Sequence, residues 1–369
     1  MQSKTKKRLK LVLILTPVAL VLILAVVAFG AWRMFGTFVT AAKSIAKLED
    51  GLYVMEYAGD YGFDDFLARG GADSDAAVGD YLTSYLSRGY CKPERNEQAG
   101  TFGCSAVCVT GENGATYFGR NYDWEKCRAI IVHTKPENGY ESVSTCCLDF
   151  LGFGADYRPD GSMKERIMTL AAVYVPLDGM NEKGLAVADL MAGDKEETHQ
   201  RTDKADLTTT TAIRLLLDRA ANTDEAVELL KQYDMNSSIG TAHHLSIADA
   251  GGRSVAVEYV NGEMIVTETR TVTNHYLGDC AKKDVGSDDS HARFRTLQAW
   301  TGDADEAGVG KRLKAVAQAD PGGDGTVWSI VYCLGECRAD FFFLRNFDRG
   351  YRLFLGKAGP DGFIAPFGR

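Results

Sequence analysis

CSAVCVTGENGATYFGRNYDW, residues 104–124, reads as two strands joined by a turn. Gly111-Glu112-Asn113-Gly114 is the turn. A two-residue turn centred on Asn113-Gly114 sets Cys104 opposite Asp123, and one centred a residue earlier sets it opposite Asn121. Either register folds Cys104 back beside the Arg120 to Asp123 segment, at the open end of the hairpin. Cys108 would face position 117 or 119 in the middle of the ladder, where a substrate cannot easily approach. Cys104 is therefore the candidate reactive thiol, and Cys108 a packing residue or half of a disulfide.

A thiol with a pKa near ~8.5 needs a neighbour that stabilises the thiolate or removes its proton. Arg120 is the candidate for the first task. For the second, the histidines at 133, 199, 243, 244, 275 and 291 stand in no recognisable cysteine-protease context. Cleavage of the Gly103–Cys104 bond would instead place an α-amino group, unperturbed pKa ~7.7–8.0, on the residue that bears the thiol. Asp123 would hold that amine in place. The polar, glycine-containing run from Lys92 to Gly103 suits a processing site.

Upstream, residues 1–10 carry Lys4, Lys6, Lys7, Arg8 and Lys10 and no acid, and residues 11–32 carry no charge at all. About 20 apolar residues cross a bilayer as a helix, and a basic cluster ahead of the span stays in the cytoplasm. The expectation is a single-pass membrane anchor at 11–32 with everything beyond it extracytoplasmic. The alternative is secretion after signal-peptide cleavage near Ala31. The net charge of −9 includes that basic tail, so the remainder is more acidic still, and nucleic acid is a poor partner.

Nine cysteines, at 91, 104, 108, 127, 146, 147, 280, 333 and 337, would face an oxidising compartment, where disulfides are permitted. With Cys104 reserved for chemistry, the other eight could form up to four bridges. Cys333 and Cys337 have no second pair at zinc spacing, so neither metal nor cofactor is expected.

Residues 33–103 read as a juxtamembrane segment and folded prosegment. Ser74 to Leu86 has helical apolar spacing behind a Ser74 cap. From 104 to 369, strand-like runs, among them 170–176, 184–190, 254–260 and 327–333, alternate with helical blocks at 209–233, 291–300 and 305–318. That grouping predicts an α+β layered catalytic domain.

FGRNYDW at 118–124, placed as it is behind Cys104, resembles the opening of the choloylglycine hydrolase and penicillin V acylase family of N-terminal-nucleophile hydrolases. The wider clan includes the acyl-CoA:6-aminopenicillanic acid acyltransferases and an N-acylethanolamine-hydrolysing acid amidase. GMNEKGLAVA at 179–188, TVTNHY at 271–276 and SHARFRTL at 290–297 resemble the family's later segments, in order. The resemblance implies a four-layer αββα sandwich, here preceded by one transmembrane helix. It implies Cys104 as nucleophile and amine base, Arg120 and Asp123 beside it, Asn181 and Asn274 as oxyanion donors, and Arg293 as a supporting cation, with Arg295 a close competitor. The bacterial bile-salt enzymes begin almost at the nucleophile, whereas residues 1–103 precede it here, an arrangement closer to the acyltransferase and acid amidase branches. The expected activity is hydrolysis of a linear amide through a thioester. The alternatives are acyl transfer to an amine, an uncleaved surface binding protein, and a papain-like Cys-His hydrolase.

Overall fold

In a computed structural model, the described residues are 25, 29–30, 35–89, 103–125, 127–154, 156–319, 325–356 and 362–368. The expected anchor at 11–32 falls almost wholly outside them, as do the basic tail and most of the run before Gly103. Among the described residues no helix is long and apolar enough to cross a membrane.

Two sheets face each other. The larger has nine strands: β1 (Ala46–Glu49), β2 (Leu52–Ala58), β5 (Ala129–Lys135), β6 (Ser142–Cys147), β7 (Asp178–Asn181), β8 (Ala186–Met191), β11 (His243–Ala248), β12 (Ser254–Val260) and β13 (Glu263–Glu268), in that spatial order. The second has seven, ordered β14 (Thr271–Val272), β3 (Cys104–Thr110), β4 (Thr116–Trp124), β15 (Gly325–Cys333), β16 (Arg338–Phe343), β17 (Arg349–Phe354) and β18 (Ile364–Gly368). A parallel pair, β9 (Ala205–Thr208) and β10 (Tyr233–Asn236), lies apart.

Alternation along each strand sends one set of side chains between the sheets and the other under helices. Ala106, Cys108, Phe118, Ile131, Ala188 and Trp328 belong to the inter-sheet core. Ile130, Val187 and Leu245 face the other way, under helix α5 (Thr209–Arg219) with its Ile213 and Leu216. Val107, Val109 and Val331 pack under helices α7 (Asp288–Gln298) and α8 (Glu306–Val316). The result is the helix–sheet–sheet–helix order expected. α5 begins at a Thr208 capping box, α7 at Ser287 and α8 at Asp305.

Two expectations are corrected. The run 170–176 is no strand: Leu170–Tyr174 forms a buried 3-10 helix, and a short apolar run without alternation carries no signal that separates the two. The hairpin takes neither expected register. A five-residue loop, closed by Gly111 N–H to the Ala115 carbonyl at 2.8 Å, pairs Thr110 with Thr116 and Cys104 with Tyr122. Because the strand period is two, Arg120 therefore shares the inter-sheet face with Cys104, while Asn121 and Asp123 point to the opposite face.

The described part of the expected prosegment, residues 35–89, packs into the same layers as the strands beyond Cys104. Residues 35–44 form helix α1, and β2 pairs with β5 in parallel along its whole length, from Leu52–Ala129 to Ala58–Lys135. Phe38, Tyr57, Phe63 and Phe66 enter one core with Tyr174 and Leu216, and the Ser74-capped helix α3 (Asp75–Leu86) adds Val78 and Leu82 to it.

Candidate active site

Cys104 opens β3 and is 5% exposed. Its sulfur accepts from Arg120 Nη1 at 3.4 Å, and its amide N–H donates to Asn274 Oδ1 at 2.5 Å. In the uncut chain that nitrogen is a peptide amide, and it stands where the α-amino group of a chain starting at Cys104 would be. The Asn274 side chain is fixed at both ends: Oδ1 also accepts from Arg293 Nη2 at 2.9 Å, and Nδ2 donates to the Met191 carbonyl at 2.8 Å. Arg293, on α7, donates from Nη1 to the Cys104 carbonyl and to Ser105 Oγ, and its Nε pairs with Asp289 at 2.8 Å. The expected competitor, Arg295, is exposed on the last turn of α7.

Arg120 is held from all sides. Nη2 donates to the Asp189 carbonyl at 2.8 Å, Nε stands 2.9 Å from Asp178 Oδ2, and the guanidinium lies 4.9 Å from the Tyr122 ring centroid. Asp178 in turn accepts from Trp328 Nε1 and the Tyr332 hydroxyl, each at 2.8 Å. Burial alone would strip the Arg120 charge, but Cys104, Asp178 and Asp189 hold its pKa above the usual range. Burial also pushes the Cys104 thiol up, against the opposing pull of Arg120. Arg120 on its own therefore does not make a thiolate here, and the site calls for a base.

Asp123, on the other face of β4, is fully buried. Oδ1 accepts from Thr326 Oγ1 at 2.5 Å, Oδ2 has no hydrogen-bond partner among the described residues, and burial lifts the carboxyl to about 6 despite Thr326, Arg293 and Arg120. A buried carboxylate oxygen without a partner among the described residues, acting electrostatically on Cys104, could serve as the seat for an ammonium there. The Asp123 N–H donates to the Gly103 carbonyl at 3.1 Å.

Asn181 is the expected site residue that the structure does not bring in. Its N–H donates to the Leu185 carbonyl, Oδ1 accepts from the N–H groups of Lys183 and Leu185, and Nδ2 caps the Leu217 and Ala220 carbonyls at the end of α5. With each of these groups satisfied in the β7–β8 turn, it is corrected here to a structural residue. Asp178, Asp189, Met191 and Thr326 reach the site without having been singled out. The signal for the two acids was available, since each is a charge within an apolar strand run and together they flank residues 179–188.

A histidine does stand close by. His243 Nδ1 contacts Asp189 Oδ1 at 2.8 Å and Nε2 contacts the Ser238 carbonyl at 2.8 Å. Burial would lower its pKa, but Asp189 outweighs that and raises it. With both ring nitrogens engaged, by the Asp189 carboxylate and the Ser238 carbonyl, it has no nitrogen free to serve as base for Cys104.

The eight described cysteines are free thiols. Cys127 and Cys147, with Asp149, could supply three cation ligands within 4.8 Å of one another. Asp149 is already paired with Arg128, however, and burial together with the neighbouring thiol drives Cys127 well above the usual thiol range.

Residues 168–321 match the family described as acyl-coenzyme A:6-aminopenicillanic acid acyl-transferase. A penicillin V acylase from Pectobacterium atrosepticum is 32% identical over 104 residues, which are 25% of this chain and 27% of that relative, so the match spans about a quarter of the relative's length. Two variant crystal structures of the conjugated bile acid hydrolase from Clostridium perfringens share the fold. They have TM-scores of 0.50 and 0.51 and identities of 16% and 17%, and each comparison covers 72% of this chain and 97% of the other.

Proposed function

We propose, from the matches to the acyl-coenzyme A:6-aminopenicillanic acid acyl-transferase family and to a penicillin V acylase, that the chain is a self-maturing N-terminal cysteine hydrolase of linear amides. The observation that carries this reading is the position of Cys104: its sulfur lies on Arg120, its nitrogen on Asn274, and the carbonyl before it on the Asp123 N–H.

In the first stage, Cys104 Sγ attacks the Gly103 carbonyl carbon, whose oxygen the Asp123 N–H polarises. The Gly103–Cys104 C–N bond breaks, leaving Gly103 as a thioester and Cys104 with a free amine. Water hydrolyses the thioester and returns the thiol. In the second stage that amine accepts the thiol proton, and the thiolate, facing Arg120, attacks a substrate amide carbonyl. Asn274 donates to the oxyanion, and the Cys104 ammonium, held by Asp123, protonates the departing amine. Water then resolves the acyl-enzyme to a carboxylic acid.

Intact-mass measurement of the wild-type chain against Cys104→Ala, followed by a panel of amide substrates, tests the proposal. Wild type should lose residues 1–103 from the catalytic polypeptide and release acid and amine, and Cys104→Ala should do neither. Activity in a chain whose Gly103–Cys104 bond remains intact would remove the reading. The matched family description favours acyl transfer as a second reading on the same scaffold, and product analysis with and without an acceptor amine separates the two. Residues 11–32 are proposed as the membrane anchor that holds this chemistry outside the cell, to be tested by fractionation and protease protection.

A further inference from the structure

A cavity of about 720 Å³ lies at the opposite end of β3 from Cys104, between the Val107–Thr110 half of the strand, the start of β12, and α7 and α8. Its nearest lining residue, Val107, is three positions, roughly 10 Å of extended chain, from Cys104 and packs on the opposite face of the strand under α7 and α8, so the space is separate from the proposed chemistry.

Four arginines are buried among the described residues: Arg120, Arg214, Arg293 and Arg312. Three have a carboxylate, namely Asp178, Asp218 and Asp289. Arg312 lines the cavity, is 7% exposed, and has none. Its sole side-chain hydrogen bond among the described residues is a long one, Nη2 to the Gly302 carbonyl at 3.3 Å, and Nε has no partner. Burial lowers its pKa, and no acid acts in the other direction. Beside it, also on the cavity, Trp300 Nε1 is a second buried donor without an acceptor among the described residues; the guanidinium carbon lies 5.9 Å from the indole ring. The one acid in the lining, Glu268, is committed to Arg253 at 2.8 Å. Val109 and Leu297, both in the core under α7 and α8, supply apolar wall.

An unpaired buried cation is costly to folding, and replacement by an apolar residue of similar volume often stabilises a protein. Such a group is retained where a bound partner supplies the missing charge. We propose that this cavity binds the carboxylate of a small molecule with an apolar body, the carboxylate seated on Arg312 and Trp300 Nε1 and the body against Val109 and Leu297. A planar carboxylate suits the guanidinium fork, and the volume is that of an ordinary small-molecule site.

The test is a thermal melt of the full chain titrated with benzoate, its neutral isostere benzamide, and inorganic phosphate. Wild type should be stabilised progressively by benzoate and by neither of the others. Arg312→Leu should melt at or above wild type without ligand and should lose the benzoate response. Trp300→Phe, which keeps the ring and removes one donor to the anion, should fold normally and bind benzoate about tenfold more weakly. Benzoate can also occupy an amidase site as a product analogue, and its dependence on Arg312 separates the two locations. An equal benzoate shift in Arg312→Leu, a response to phosphate as large as that to benzoate, or no response in wild type would each overturn the proposal. None of these outcomes bears on whether Cys104 is the nucleophile.

Discussion

The backbone N–H of Asp123 donates to the carbonyl oxygen of Gly103 at 3.1 Å, while the Asp123 carboxyl is fully buried and acts electrostatically on Cys104. Its main chain thus touches the bond proposed to break, and its carboxyl is the proposed counter-charge for the amine that cleavage would free.

Glycine at 103 is part of that arrangement. A Cβ there would meet Gln318 Nε2 at 2.7 Å and Arg293 Nη2 at 3.0 Å, and both groups are tied to Asp289. Gly103→Ala should therefore slow self-cleavage without preventing folding, and Cys104→Ala should stop it. A time course of intact mass after synthesis reads both.

Asn274 and Asn181 should part company. Asn274→Ala removes the acceptor for the Cys104 nitrogen and a donor to the oxyanion, with a loss on the order of 10²–10³ in kcat and little change in KM. Asn181→Ala strands four backbone partners, three of them buried, and should cost about 3 kcal/mol of stability, visible in denaturant melts, while the protein that remains folded keeps its kcat.

For Asp123 the sign of the pH dependence follows from burial. Its carboxyl in the uncut fold titrates at about 6 against 3.8 for the unperturbed group, so between those values the folded chain holds a proton that the unfolded chain has lost. Stability must fall across that window as pH rises, by on the order of 3 kcal/mol from this group. His275 opposes it: burial and the neighbouring His291 and His244 depress its pKa to about 4, so its contribution rises with pH over a similar range. Denaturant melts of Cys104→Ala at pH 4 to 7, with and without Asp123→Asn, isolate the first effect. The Asp123→Asn chain should be the more stable of the two above pH 6, and the difference should vanish near pH 4.

Much of this was legible in the sequence, and the remainder had physical reasons to be hidden. The hairpin could be read from strand runs around a glycine turn, but its register turned on whether the loop held an even or an odd number of residues. Composition does not decide that, and a shift of one residue exchanges which side chains join Cys104. Helix ends were clearer, because Ser74 and the residues around 208, 287 and 305 accept hydrogen bonds from their own first turns, a local effect. Asp178, Asp189 and Thr326 reach the site from 74 to 222 positions beyond Cys104, through strand pairing and the facing of the two sheets, which no window along the chain contains. Asn181 was misplaced for the converse reason: a motif marks a residue without saying whether its hydrogen bonds serve a turn or a ligand.

Cleavage should not release the segment before Cys104. β2 lies in the interior of the nine-stranded sheet, hydrogen-bonded to β1 on one side and β5 on the other, and Phe38, Phe63 and Phe66 are shared with the main core. After maturation the two polypeptides should co-elute in gel filtration and separate only in denaturant. Early elution of a smaller catalytic fragment would contradict this.

That shared sheet also sets the order of events in the life of the molecule. The strands that flank the Gly103–Cys104 bond in the chain belong to different sheets, and the groups that would activate it arrive from β4, β15 and α7 only once both are assembled. The proposed maturation would thereby be a proofreading step: a chain that folded incorrectly would never generate its own amine and would stay inert, so only correctly built copies would be armed.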